Sequence, residues 1–386
     1  MHFFKNLNEL ECTEKIENKM DIEGRITGIT YKVSTSEILK IFDIEGFNIN
    51  ESPAFCLLKD GTKSFALSKW VSPKRTRSYP YERVYNTLNS SKKITIIPIV
   101  KDEGAGGDRD FIQWDTVSLM SLLDVFVIFA YYEKADINTR FENKITNQQF
   151  NNKYVLSKIE EIEQYHSSAL HWNLNELKNN LHKIIDKVKI CYSNIENNLG
   201  VTLHNLKGLD NFKEKIGEKV ETFMQFSREK AEKAQNREML TTQPKENLST
   251  LTKAKITITN YLGGQYFFTV DEILIENNTI YLIENKHSAN SLLPGKGDIK
   301  DGLLKMILYS NLCEVEVNGI KMKSKAVLNL TSKNIEREIN SKDEIWDRGD
   351  LMLINNFSQK QMRFFDDLFY EAEQNDFEVK IGGTKC

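Results

Sequence analysis

Two carboxylates and an amine, Asp271, Glu284 and Lys286, fall within the stretch VDEILIENNTIYLIENK, residues 270–286. The run IYLI has the composition of a buried strand, and it ends in Glu284 and Lys286, which period-two alternation sends to one side of the chain. Asn277-Asn278 reads as a two-residue hairpin turn, because Asn accepts positive φ. Glu276 then opposes Thr279, Ile275 opposes Ile280, and counting back sets Asp271 against Glu284 and Thr269 against Lys286. Opposed residues share a face with Cβ atoms about 5 Å apart. Ile273, Ile275, Ile280 and Leu282 are expected to fill the rest of that face.

Two opposed carboxylates beside an apolar layer repel, and a divalent cation between them removes the cost. Oxygen ligands on a rigid sheet suit Mg²⁺, which keeps waters and takes one or two carboxylates plus a phosphate. With Lys286 beside it, this is the inventory for hydrolysis of a phosphodiester. The plainer reading is an exposed strand end with Asp271 on a solvated face. A three-residue turn would shift the register by one and set Glu272 against Glu284, so Glu272 is the runner-up acid.

These elements need a scaffold. Residues 1–150 read as a mixed α/β segment: KSFALSKWV and KKITIIPIV as strands, WDTVSLMSLL as a helix and DVFVIFAYYE as a buried strand, the pattern of a parallel crossover unit. RITGITYKV also has strand composition. Residues 151–240 are helical, with apolar residues recurring at three and four, and are a connector or dimerisation element. From 241 to 386 the strand signal returns as a three-strand meander with turns at Gly263-Gly264 and Asn277-Asn278. A helix DIKDGLLKMILYSNL follows, with Asp298 as expected N-cap and Asp301 in its first turn. The strand KSKAVLNLTS, an amphipathic helix and a last strand FEVKI complete the chain.

The motif resembles that of the PD-(D/E)xK nuclease superfamily, which includes type II restriction endonucleases. Asp271 matches the first acid, Glu284 the second and Lys286 the lysine, with Val270 where the family name has Pro. The resemblance covers about residues 240–335 and implies a core ordered α-βββ-α-β. It also implies Mg²⁺-dependent DNA cleavage leaving 5′-phosphate and 3′-hydroxyl ends. By the same analogy the main-chain carbonyl of Asn285 is a metal ligand, and the preceding helix adds a carboxylate, with Glu246 and Glu238 as candidates. A restriction enzyme would act on double-stranded DNA, be expected as a homodimer and have a cognate DNA methyltransferase.

Two further regions bear on a nucleic-acid partner. KWVSPKRTRSYPYERVYNTLNSSKK, residues 69–93, has Lys69, Lys74, Arg75, Arg77, Arg83, Lys92 and Lys93 against the single acid Glu82, interleaved with Trp70, Tyr79, Tyr81 and Tyr85. Such residues neutralise phosphates and stack on bases. The plainer reading is a solvated basic loop with core aromatics. Lys296, Lys300 and Lys305, after the motif, are expected to face the scissile strand, and Gly295 and Gly297 to allow close approach of a phosphate. The loop KDEGAGGDRDFIQWD, residues 101–115, is acidic but is neither a P-loop nor an EF-hand. Its acids are expected to pair with Arg75 or Arg77; a phosphate-handling site there is the weaker alternative. A non-catalytic DNA-binding or assembly protein on a nuclease-like scaffold is the other.

Composition narrows the classes. The net charge of −3 means that any nucleic acid meets a local basic patch. Cys12, Cys56, Cys191, Cys313 and Cys386 are scattered, which reads as reduced thiols in a cytoplasmic protein. His166 and His171 are spaced for different helix faces, not for one metal. The N-terminus has no signal-peptide pattern, and the longest apolar run, DVFVIFAYY, is too short to span a bilayer.

Overall fold

The computed structural model describes residues 20–75, 79–216, 220–240 and 253–383. The class is mixed α/β, with two principal sheets. The first orders its strands Ile41–Asp43, Phe55–Asp60, Lys63–Lys69, Lys93–Pro98 and Val125–Ala130. The last two run parallel, with Ile96 beside Ile128, and the helix Trp114–Leu122 joins them. All six residues of Val125–Ala130 are buried, which is why this run shows no alternation. Val155, Ile159 and Trp172 of two following helices cover one face against Ile94, Phe126 and Ile128.

Five helices fill most of 151–240: Asn152–Glu163, Ala169–Asn179, Leu181–Leu199, Lys207–Ile216 and Val220–Leu240. Their buried residues recur at three and four, as in Ile184, Ile185, Val188, Tyr192 and Ile195. Among the described residues no helix is long and apolar enough to cross a membrane.

The second sheet carries the motif. Its path runs Gln265–Val270, Ala254–Asn260, Asp21–Ile26, Cys313–Val317, Ile320–Ser332, Thr279–Ser288 and Glu272–Glu276. Phe377–Gly383 pairs in parallel with the second half of Ile320–Ser332. Asp21–Ile26, grouped by sequence with the first 150 residues, lies between Ala254–Asn260 and Cys313–Val317, so the boundary at 150 does not hold for this strand. The strand expected over RITGITYKV ends at Ile26.

Gln265–Val270 and Glu272–Glu276 are neighbours in sequence, parted only by Asp271, yet stand at opposite ends of the strand path. One stretch of chain is thus split at Asp271, its first half pairing with Ala254–Asn260 and its second with Thr279–Ser288. The helix Lys296–Ser310 lies between Thr279–Ser288 and its parallel neighbour Ile320–Ser332, the crossover that parallel strands require. It is capped by Gly295 instead of Asp298, which falls in the first turn. The hairpin strand Cys313–Val317 and the helix Ile345–Ile354 are not evident in the sequence patterning.

Candidate active site

From Glu276 to Glu272 the hairpin has the expected turn and register, but Thr269, expected opposite Lys286, instead pairs with Lys255 of Ala254–Asn260. Asn277 and Asn278 both take left-handed φ, 46° and 62°, as a primed two-residue turn needs. Glu276 opposes Thr279, Ile275 opposes Ile280, and the ladder ends with Glu272 opposite Ile283. Asp271 is the next position, and its Oδ2 accepts the Asn285 N–H at 2.9 Å. Glu272 belongs to the other face, where its carboxylate lies 3.5 Å from the Asn285 amide nitrogen, so it does not join Glu284. Ile280 and Leu282 are buried and Ile273 nearly so, but Ile275 is exposed: the outer end of the hairpin is uncovered.

The site strand Thr279–Ser288 and the site helix Lys296–Ser310 together build a compact ion network. Glu284 is 1% exposed. Its Oε1 accepts from Lys286 Nζ at 2.9 Å and its Oε2 from Lys305 Nζ at 2.8 Å. Asp301 Oδ2 lies 3.7 Å from Lys286 Nζ. Asp301 and Lys305 are one helical turn apart, so the helix presents both on one face. Room for the Lys286 stem comes from Gly302, where an added Cβ would stand 3.2 Å from Lys286 Cε and 2.9 Å from Leu328 Cδ1.

Electrostatics follow from this packing. Burial, then the charge of Glu284, pushes Asp271 up to about 6, against the pull of Lys305 and the Asn285 N–H. Burial would also raise Glu284, but Lys305 and Lys286 outweigh it and hold the carboxyl below its usual range. Burial would lower both lysines; Glu284 reverses this, and each is held above the ordinary lysine value. Burial raises Asp301, with Lys286 opposing. Three carboxylates thus surround two ammonium groups.

Asp271 therefore costs stability at neutral pH. Its folded pKa is raised, so the folded state favours the protonated form. The penalty is absent below the unfolded value of 3.8, grows as pH rises and is complete above about 6. Asp271→Asn, which keeps an acceptor for Asn285, is expected to gain about 1–3 kcal/mol at pH 7.5 and about half of that at pH 5. Urea unfolding at the two pH values checks it; a variant less stable than the parent at pH 7.5 contradicts it.

Further polar groups near the acids are unsatisfied. The Tyr309 hydroxyl, a further turn along the helix from Lys305, and Thr269 Oγ1, two residues before Asp271, are buried with no hydrogen-bond partner. The charges of Lys305, Glu284 and Asp271 all act on Tyr309. Among the described residues no three His, Cys, Asp or Glu are grouped to hold a metal. The donor set is instead two carboxylates, Asp271 and Glu284, with the Asn285 carbonyl. In a strand this carbonyl leaves on the same edge as the Asn285 N–H, towards Asp271. Two carboxylates and a carbonyl are oxygen donors of the kind a Mg²⁺ that retains waters takes, and Glu284 would have to share an oxygen now held by Lys286 or Lys305.

Most of the expected basic patch is engaged within the protein. Lys69 Nζ donates to the Ile49 and Ser52 carbonyls at 2.6 and 2.5 Å, and burial pulls its pKa down to about 8. Arg75 pairs with Asp115 at 3.3 Å and lies over the Phe268 ring. Arg83 donates to the Lys69 carbonyl, and Lys92 to those of Ile162, Glu163 and Tyr165. Lys93 lies 3.8 Å from Asp124, and Trp70, Tyr81 and Tyr85 are core. Lys74, half exposed and 3.8 Å from Asp110, is the member left at the surface among those described. Arg77 lies outside the described residues.

Lys300, expected to meet DNA, is buried and bonds Glu37 and Asn86 at 2.9 and 2.8 Å. Lys296 stays near the surface, 5.4 Å above the Phe364 ring. Glu246 is outside the described residues, and of Glu238 only the helical backbone is described. In the acidic loop Asp115 takes Arg75, as expected. Asp102 takes Gly104 N–H and His204, and Asp110 takes Ser72, so these acids do not form an open cation site. His171 bonds Tyr165.

Lys305, expected to face the scissile strand, and Asp301, expected only in the first turn of a helix, both instead join the cluster. Their spacing of four, on the helix next to the motif strand, was the available signal. No family model, curated protein or solved structure matches this chain.

Proposed function

We propose that the chain is a Mg²⁺-dependent DNA endonuclease of the PD-(D/E)xK type, acting on double-stranded DNA as a restriction enzyme. The observation that carries this reading is the convergence of Asp271, Glu284 and Lys286 at the end of one hairpin, in a buried setting. The element order supports it. The helix Val220–Leu240 is followed by Ala254–Asn260, the split strand, the site strand, the site helix and the parallel strand Ile320–Ser332. The hairpin strand Cys313–Val317 is an addition to the α-βββ-α-β order. A homodimer and a cognate methyltransferase belong to this reading.

Asp271, Glu284 and the Asn285 carbonyl would hold the metal. Bound there, it would neutralise a scissile phosphate and acidify a water. Lys305 pins one oxygen of Glu284 and so fixes its orientation. Lys286 is an ammonium beside Glu284, with its pKa pushed up by that charge once burial is overcome. Its place between Glu284 and Asp301 suits a donor to a phosphate oxygen or to the attacking water. Asp301 draws Lys286 towards the helix and limits its travel.

A second reading has its own support: both Glu284 oxygens already take ammonium groups, which suits a non-catalytic scaffold on which DNA or partner proteins assemble. Plasmid and unmethylated phage DNA, with Mg²⁺ or EDTA, separate the two. Cutting with Mg²⁺ that leaves 5′-phosphate ends and is lost in Asp271→Asn is expected. Mg²⁺ at ten times its Kd should also stabilise the parent by about 1.4 kcal/mol, with less effect on the variant. Neither cutting nor Mg²⁺ stabilisation leaves the scaffold reading in its place.

A further inference from the structure

A cavity of about 290 Å³ opens between the segment after the site strand and the start of the helix Gln359–Gln374. Leu293, Pro294, Ile299 and Phe364 give it apolar walls, and Lys296 and Lys360 stand at it. Among the described residues no carboxylate lines it. Among the described residues neither lysine has an ion-pair partner, while most lysines of the basic patch and the site helix are engaged. Two exposed ammonium groups beside an apolar pocket, one of them over the Phe364 ring, suit a ligand that is both anionic and flat or apolar.

The place of the cavity says which ligand. Ser291 and Leu293, which line it, follow Lys286 by five and seven residues, at most about 18 and 25 Å of extended chain. A strand with one phosphate at the Asp271–Glu284–Lys286 cluster reaches this cavity within a few nucleotides. Apolar walls and depth are superfluous for a phosphate alone and suit an unstacked base.

We infer that this cavity is a nucleotide subsite. It takes one unstacked nucleotide of the substrate strand, its phosphate on Lys296 and Lys360 and its base against Pro294, Leu293 and Phe364. The inference rests on the nuclease reading and adds where the strand runs beyond the cleavage centre.

The test uses the full chain carrying Lys286→Ala, in which cutting is slowed, with fluorescein-labelled oligonucleotides followed by anisotropy in Mg²⁺ and checked for intact length afterwards. Adding Lys296→Ala and Lys360→Ala should weaken binding at least tenfold and lower the salt slope by about one to two. For the parent, an oligonucleotide of abasic sites should bind about tenfold more weakly than one with bases, the loss of one stacked base. Phe364→Leu, which keeps bulk but removes the ring, should reduce that preference. Unchanged affinity and slope in the double lysine variant overturn the subsite. So does full base preference in a Phe364→Leu protein whose melting temperature matches the parent. If the lysine variants in an otherwise wild-type chain cut and bind normally, the subsite fails and the nuclease reading stands. If the wild type neither binds nor cuts DNA, both fall.

Discussion

Glu284→Ala is expected to lose about 3–5 kcal/mol of folding stability, because it leaves two largely buried ammonium groups without their shared carboxylate. Both oxygens of Glu284 are engaged, at 2.9 and 2.8 Å, so the substitution removes both contacts at once. Removing the charge but not the shape, in Glu284→Gln, should cost less, since an amide oxygen still accepts one lysine. Replacing Glu284, Lys286 and Lys305 together by apolar residues of similar volume should recover much of the loss, because buried ion pairs and triads gain little over well-packed apolar groups. The pH dependence has a fixed sign. The folded-state pKa of Glu284 is lowered, so its contribution is present above the ordinary carboxyl range and is lost as pH falls through the folded value. The gap between parent and Glu284→Gln should therefore narrow in acid. Guanidinium unfolding at pH 7.5 and pH 4 measures all of this; a loss under about 1 kcal/mol for Glu284→Ala is the value for an exposed pair and contradicts the buried network.

The parts of this site that were legible in sequence are those set by local rules. Two Asn residues with left-handed φ fix a two-residue turn, the turn fixes the register, and the register brings Asp271 to Glu284. The buried strand Val125–Ala130 and its parallel partner likewise follow from runs of apolar residues. What stayed hidden depends on distant partners. Asp21–Ile26 takes its place between strands that begin at 254 and 313, which no local pattern reports. Lys69 and Lys300 look like phosphate binders because a long amine stem is compatible with either surface or core. Only the fold shows that backbone carbonyls hold one and that Glu37 and Asn86 hold the other. Lys305 was grouped with surface cations for the converse reason. Its partner lies 21 residues back on a strand, and helical periodicity says which face it occupies without saying what packs there.

Lys286→Ala is expected to lower Mg²⁺-dependent DNA cleavage by about 10²–10⁴-fold, the range for removing a positioned donor or proton-transfer group. Metal-free DNA affinity should change by less than about threefold, since one phosphate contact among several is at stake. The distinction matters because Glu284 keeps Lys305 in the variant, so the site retains one of its two ammonium groups. Stability should fall modestly and folding should persist, which a melting curve verifies before any rate is compared. Lys286→Arg preserves the charge but brings a planar fork to a stem packed against Gly302, where even a methyl group would crowd. It should recover less than about a tenth of the wild-type rate, on the ground that position and not charge alone is required. If Lys286→Arg cuts at the wild-type rate, the lysine supplies only a general positive field. If Lys286→Ala cuts at that rate while Asp271→Asn does not, Lys305 is the ammonium that serves the reaction and Lys286 is a structural partner of Glu284.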